Sequence, residues 1–306
     1  MNSKRIGRGM IIFMRTLFLI LSLILLIGIL PGCAKPQQDT IVVGSKDFPE
    51  QAILGNMLVL LLEAHTDMTV IHKDNMATHV IFAAIGTGAV DVYVEYTGTI
   101  YGSFLNLSDT KDAQEVYDIS AEMIAERYDL RLLGMLGMNN TFGLAVRQDT
   151  ARQYGLRTYS DLSPVASEFI FCGSAETFSR NDGLPNLKRL YNINFMEERV
   201  LHNEQRYEAL ISGDVQVAEV FATDGLLYEH DLVVLEDDRN YYPPYHAVIV
   251  VRNEILEKHP ELIAVLNLLE GRLPDEVMRS LNNRVDAGGE SPRSVAESFL
   301  RENGLI

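Results

Sequence analysis

The sequence predicts an α/β protein built from two similar lobes, and three observations carry that prediction. The apolar run Val80-Ile-Phe-Ala-Ala-Ile85 has a helical character, passes Gly88 and enters a buried strand from Val90 to Val94. That strand breaks into the polar turn Glu95-Tyr-Thr-Gly-Thr99. The pattern then returns once: Ala209-Leu-Ile-Ser-Gly213 leads through Val215-Gln-Val217 into Phe221-Ala-Thr-Asp-Gly225. Ala84, Gly88, Val90, Val92 and Tyr96 lie opposite Ala209, Gly213, Val215, Val217 and Phe221, each pair 125 residues apart. Elsewhere, strand-patterned and helix-patterned segments alternate, which argues for mostly parallel α/β sheets. An aromatic just past the carboxyl end of such a strand sits where open sheets bind ligands. Each lobe therefore offers one aromatic to a shared cleft.

In chain order, Ile41-Val-Val-Gly44 is a first strand. Asp47-Phe-Pro-Glu50 combines a capping Asp, an early Pro and an acid in the first turn, and starts a helix that runs to about His65. Met68 to His72 is a second strand and Val90 to Val94 a third. Asp112 to Tyr128 is amphipathic, with Val116, Ile119, Met123 and Ile124 on one face. Strands are predicted at Arg131–Leu136 and Phe142–Arg147, separated by a turn at Gly137-Met-Asn-Asn140. A second lobe follows: strand Phe169–Cys172, a polar loop through Arg180, strand Arg199–Leu201, the repeated unit and strand Leu232–Leu235. The stiff, aromatic Tyr241-Tyr-Pro-Pro-Tyr245 leads into strand Ala247–Val251, and helical patterns over 253–270, 274–284 and 292–303 close the chain. The expected organisation is lobe 1 over 41–143, lobe 2 over 144–244, and a return to lobe 1 with its final helices over 245–306.

Residues 1–32 hold no Asp or Glu but carry Lys4, Arg5, Arg8 and Arg15, followed by an apolar run from Leu17 to Leu30. A basic start, a short apolar core and small residues at a cut site read as a signal peptide. Leu30-Pro-Gly-Cys33 resembles the lipobox of bacterial lipoproteins, which implies lipid on Cys33; the alternative is a plain membrane anchor. Residues 33–40 are then a polar tether. The leader holds four of the 26 Lys+Arg and none of the 42 Asp+Glu, so the remainder is about 20 charges negative. Such acidity argues against nucleic acid or an anionic lipid surface as a partner, since both need clustered positive charge. No later apolar run approaches about 18 residues, so any membrane-crossing part is expected on a separate chain. Beyond Cys33 only Cys172 remains, which leaves no disulfide within the mature fold and no cysteine metal site.

Catalytic signals are lacking: Gly-x-Ser-x-Gly, His-Glu-x-x-His, a Walker loop and Gly-x-Gly-x-x-Gly are all absent, and the seven His are scattered without ligand spacing. Neither an enzyme nor a cofactor is expected. The informative residues are aromatics at strand ends, Tyr96, Phe142, Phe221 and Tyr245. Four such rings around one point would hold a poorly hydrated organic cation against their negative faces. Each ring taken singly reads first as core packing, and Lys46 and Arg180 read first as surface cations.

The stretches Gly44-Ser-Lys-Asp-Phe-Pro-Glu-Gln51, Tyr93-Val-Glu-Tyr-Thr-Gly-Thr99, Asn139-Asn-Thr141, Phe221-Ala-Thr-Asp-Gly225, Asp231–Asp238 and Pro243-Pro-Tyr245 occur in the order of a known family. From Ile41 to Ile306 the chain resembles the glycine betaine/choline substrate-binding proteins of osmoprotectant ABC transporters. The resemblance implies the bilobal, type II periplasmic-binding-protein fold, two α/β lobes joined by a two-strand hinge. It implies an aromatic cage at Tyr96, Phe142, Phe221 and Tyr245, with phenylalanine replacing two tyrosines usual there. It further implies a carboxylate clamp of Lys46, Thr99 and Arg180. A clamp with two cations disfavours a bare cation such as choline, which would leave them unpaired, so a zwitterionic betaine, glycine betaine first, is the expected ligand. Implied partners are an ABC permease and its ATPase on separate chains, with the membrane reached through the lipid anchor on the extracytoplasmic side. The alternatives are a choline-binding protein of the same transporter class and an extracytoplasmic ligand-sensing module.

Overall fold

The computed structural model describes residues 39–108, 111–228 and 230–306; the leader, Cys33 and most of the tether lie outside them. Among the described residues the strands are β1 Thr40–Lys46, β2 Thr69–Met76, β3 Val92–Tyr96, β4 Leu130–Asn139, β5 Phe142–Arg147, β6 Ile170–Gly173, β7 Glu197–Val200, β8 Val217–Phe221, β9 Leu232–Val234 and β10 His246–Arg252. They form two five-stranded sheets, ordered β2-β1-β3-β10-β4 and β7-β6-β8-β5-β9. The sheets match strand for strand. In each, the central strand, β3 or β8, pairs in parallel with one neighbour and antiparallel with the other.

The repeat read from the sequence is therefore a repeat of structure. Val92–Tyr96 and Val217–Phe221 are the two central strands, still 125 residues apart. Each is approached through a glycine with positive φ, Gly88 at 75° and Gly213 at 88°, a backbone state that side-chain-bearing residues avoid. The likeness extends to the antiparallel neighbours: Arg252 at the end of β10 covers Gly88, and Arg147 at the end of β5 covers Gly213.

The sheets are mixed, not mostly parallel. The first joins β1 in parallel to β2 and β3 but sets β10 antiparallel to both β3 and β4. The second repeats this with β6 and β5. β5 and β10 arrive from the opposite sheet instead of from a crossover helix, so they enter pointing the other way. The chain crosses once between Asn139 and Phe142 and returns between Val234 and His246. The crossings are bonded to each other: Asn140 N donates to the Tyr245 carbonyl (3.0 Å), and Tyr245 N donates to Asn139 Oδ1 (2.7 Å).

The first helix, Pro49–His65, fills the largest core, with Ile53, Leu54, Met57, Leu58, Leu61 and Leu62 fully buried. Its N-cap is Phe48, without a side-chain cap bond, so Asp47 does not cap it. Asp112 does cap Ala113–Tyr128, accepting from Glu115 N. The predicted turn at Gly137–Asn140 is, as far as Asn139, the continuing strand β4. Gly137 (φ +123°) lets that strand lie against the Leu273 backbone, which a Cβ would approach to 3.1 Å. The polar loop before Arg180 contains a short helix, Ala175–Ser179, capped by Ser174. The long pattern over 253–270 is broken near Pro260 into Asn253–Lys258 and Leu262–Leu266. No described helix is long and apolar enough to cross a membrane.

Candidate functional site

Strand ends build the site. Tyr96 closes β3, and Tyr245 immediately precedes its antiparallel neighbour β10. Phe221 closes β8 and is the cross-strand partner of Phe142, which opens β5. Each sheet thus delivers aromatics at one corner, and the bonded crossings bring the corners together. One cleft of about 210 Å³ is lined by all seven sequence-predicted residues: Lys46, Tyr96, Thr99, Phe142, Arg180, Phe221 and Tyr245. Phe142 is the hub of the rings, 5.0 Å from Phe221 and 5.2 Å from Tyr245 between centroids.

The two kinds of ring are held differently. Tyr96 donates its hydroxyl to Glu50 Oε1 (2.6 Å) and accepts from Gln51 Nε2 (3.1 Å). Tyr245 donates to Asp182 Oδ2 (2.7 Å). Burial, reinforced by the neighbouring carboxylates, pushes both phenols well above their ordinary pKa, so they stay protonated donors. The phenylalanines are fixed by other rings: Tyr242 stacks on Phe142 at 5.4 Å, and Phe48 lies parallel to Phe221 at 6.3 Å. At these two positions ring packing holds the side chain without a hydroxyl bond.

The clamp cations are not unpaired, which corrects the argument made from sequence against choline. Lys46 Nζ lies 2.5 Å from Glu95 Oε1, both side chains buried. Arg180 donates Nε and Nη2 to Asp182 (2.8 and 2.6 Å), reaches Thr99 Oγ1 at 3.4 Å, and turns Nη1 toward Glu176 at 3.6 Å. Burial opposes ionisation of Asp182, but the Arg180 and Tyr245 hydrogen bonds outweigh it and hold its pKa below the ordinary value. Each of three cations also stands over a cleft ring: Lys46 over Tyr96 (5.0 Å), Arg180 over Phe142 (5.2 Å) and Arg206 over Phe221 (5.2 Å). The cations therefore bring little uncompensated charge toward an ammonium, while the guanidiniums keep N–H donors to offer an acceptor.

Several functional candidates escaped the sequence reading. Phe48 and Asn140 line the cleft and lie inside stretches that carried the family resemblance, so a signal for them existed. Glu50 accepts from Tyr96, Asn140, Thr223 and Asn282, joining a cleft ring to both sheets. Burial raises its pKa. Ser174, Glu176, His202 and Arg206 also line the cleft but sit in stretches without motif character.

The family model for the substrate binding domain of ABC-type glycine betaine transport systems matches residues 39–302. The chain belongs to this family. Among relatives of this substrate-binding domain, the ergothioneine transport permease/ergothioneine binding protein EgtU of Helicobacter pylori is 35% identical over 88% of the chain, which spans 48% of that longer protein. The carnitine transport binding protein OpuCC of Listeria monocytogenes is 32% identical, over 90% of this chain and 91% of its own length. A crystal structure described as a glycine betaine/carnitine/choline ABC transporter superposes with a TM-score of 0.72 at 29% identity, covering 87% of this chain and 99% of that one. The named relatives belong to transport systems as binding proteins or binding parts, and the superposed crystal structure shares the two-sheet α/β architecture described above.

Proposed function

We propose that this substrate-binding domain captures a zwitterionic quaternary-ammonium solute, glycine betaine or a related betaine, and delivers it to an ABC permease on a separate chain. The observation that carries the reading is the convergence of Tyr96, Phe142, Phe221 and Tyr245 on one cleft. A trimethylammonium group there gains roughly 0.5–2 kcal/mol per ring face. Its carboxylate takes the guanidinium Nη1 of Arg180, the Thr99 hydroxyl and the charge of Lys46. Lipid on Cys33 would keep the protein at the extracytoplasmic membrane surface; that is tested by metabolic labelling with palmitate, expected in the wild type and lost in Cys33→Ala.

A second reading, choline, is favoured by one observation: Glu95 and Asp182 already neutralise Lys46 and Arg180, so a bare cation strands no buried charge. Calorimetric titration with both ligands separates the two. Glycine betaine binding weakened at least tenfold by Arg180→Ala supports the betaine reading. Choline binding indifferent to that substitution, with no glycine betaine binding, replaces it.

A further inference from the structure

Arg206 is the cleft cation with the most unused hydrogen-bonding capacity. Its side chain is 3% exposed, and among the described residues its guanidinium has a single acceptor, Glu219 Oε2, at 2.5 Å from Nη1. Its Nε is buried without a partner, and so is Glu219 Oε1. Arg180, by contrast, is held by Asp182, Thr99 and Glu176. A five-donor group rarely stays buried with one acceptor, because each unmet donor keeps its desolvation cost. Space continues beside it: a second cavity of about 40 Å³ shares Phe48, Asn140, Arg206 and Phe221 with the main cleft. That is room for one water or one polar group of similar size. His202 and Ser174 line the main cleft together with Arg206, the Ser174 N–H already donating to Glu219 at 2.7 Å.

We propose that Arg206 determines specificity by binding a second acceptor of the ligand, so that the preferred substrate is a betaine bearing an acceptor-carrying arm, such as a hydroxyl or a thione, and not glycine betaine itself. The inference rests on the cage reading above. The quaternary ammonium and carboxylate take the rings and Arg180, and the arm passes Phe221 to reach Arg206. Arg206 acts on the ligand directly while Glu219 fixes its plane. A hydrogen bond to a charged donor is worth about tenfold or more in affinity, so the arm raises affinity only while the guanidinium is present.

The test is calorimetric titration of the purified protein with glycine betaine, carnitine (hydroxyl arm) and ergothioneine (thione arm), for the wild type, Arg206→Lys and the pair Arg206→Met with Glu219→Gln. The pair removes both buried charges together, and Arg206→Lys keeps the charge but not the fork, so the test does not hinge on one variant folding. The expected result is at least a tenfold preference of the wild type for one arm-bearing betaine. Both variants lose that preference, bringing the ratio of affinities for the arm-bearing betaine and glycine betaine to within about threefold of one. Glycine betaine bound as tightly as both others, or a preference that both variants retain, overturns the inference but leaves the cage reading standing. A wild type that binds none of the three overturns both.

Discussion

Tyr96 shows how one side chain joins ligand binding to folding. Its ring lines the cleft, while its hydroxyl donates to Glu50, a carboxylate buried from water whose other partners, Asn140, Thr223 and Asn282, are all donors. Tyr96→Phe keeps the π face and removes one donor to that carboxylate. We expect ligand affinity within about threefold of wild type and a stability loss of about 1–3 kcal/mol, measured by urea unfolding. Tyr96→Ala removes the face as well and should cost at least tenfold in glycine betaine affinity. Asp182 gives a pH prediction. Its folded pKa is depressed, so its contribution to stability is present above the ordinary carboxylate value of 3.8 and lost as pH falls through the lower folded value. Thermal melts between pH 5 and pH 2 should show an acid-side loss of stability that is smaller in Asp182→Asn, whose midpoint is already lower at pH 5. Equal acid-side losses in the two proteins would show that Asp182 does not bear this charge.

The turn after β3 sets a cage ring by steric fit. A Cβ on Gly98 would meet the Tyr245 ring at 2.7 Å and the Pro244 carbonyl at 2.8 Å. Gly98→Ala must therefore move the Tyr245 ring or the turn. It should weaken betaine binding about tenfold while the far-ultraviolet circular dichroism stays that of the wild type; unchanged affinity would mean the ring is not confined by this turn. This turn was legible in sequence because it repeats: Tyr96 and Phe221 close strands of equal length behind equivalent glycines, and five matched positions marked them. Strand direction was not legible. The apolar runs of β5 and β10 look the same whichever way they enter a sheet, and only the crossings at 139–142 and 234–246 make them antiparallel. Arg206 was invisible for a related reason. On a short helix, Asn203–Ser212, a cation reads as a solvated surface group until the fold buries it against Phe221 and Glu219. Lys46, Thr99 and Glu95, the partner of Lys46, lie in stretches that carried the family resemblance, whereas Arg180 and its partner Asp182 lie outside them, and Asp182 reads like the chain's many other acids.

Across the molecule, hydrogen bonds tie elements of the first sheet's lobe to those of the second. Glu176 accepts from Thr78 N and Oγ1 (3.0 and 2.9 Å) at the start of the helix Thr78–Gly86, where a carboxylate also meets the positive end of the helix dipole. Thr223 Oγ1 donates to Glu50 at 2.5 Å, and Asn181 donates to Asn106. A ligand shared by the two lobes adds to contacts that already favour this arrangement, and it shifts the population only by its differential affinity for the two states. Glu176→Ala removes two of these bonds, and small-angle scattering should show a larger radius of gyration without ligand, returning to the wild-type value at saturating betaine. A radius equal to wild type without ligand would mean that this contact does not hold the lobes. Whether the four rings receive the ammonium is decided by a crystal structure of the protein grown with saturating glycine betaine. The trimethylammonium carbon shell should lie within about 6 Å of the centroids of Tyr96, Phe142, Phe221 and Tyr245, with the carboxylate at Arg180 and Thr99. A ligand seated elsewhere, or turned with its carboxylate on the rings, would contradict it.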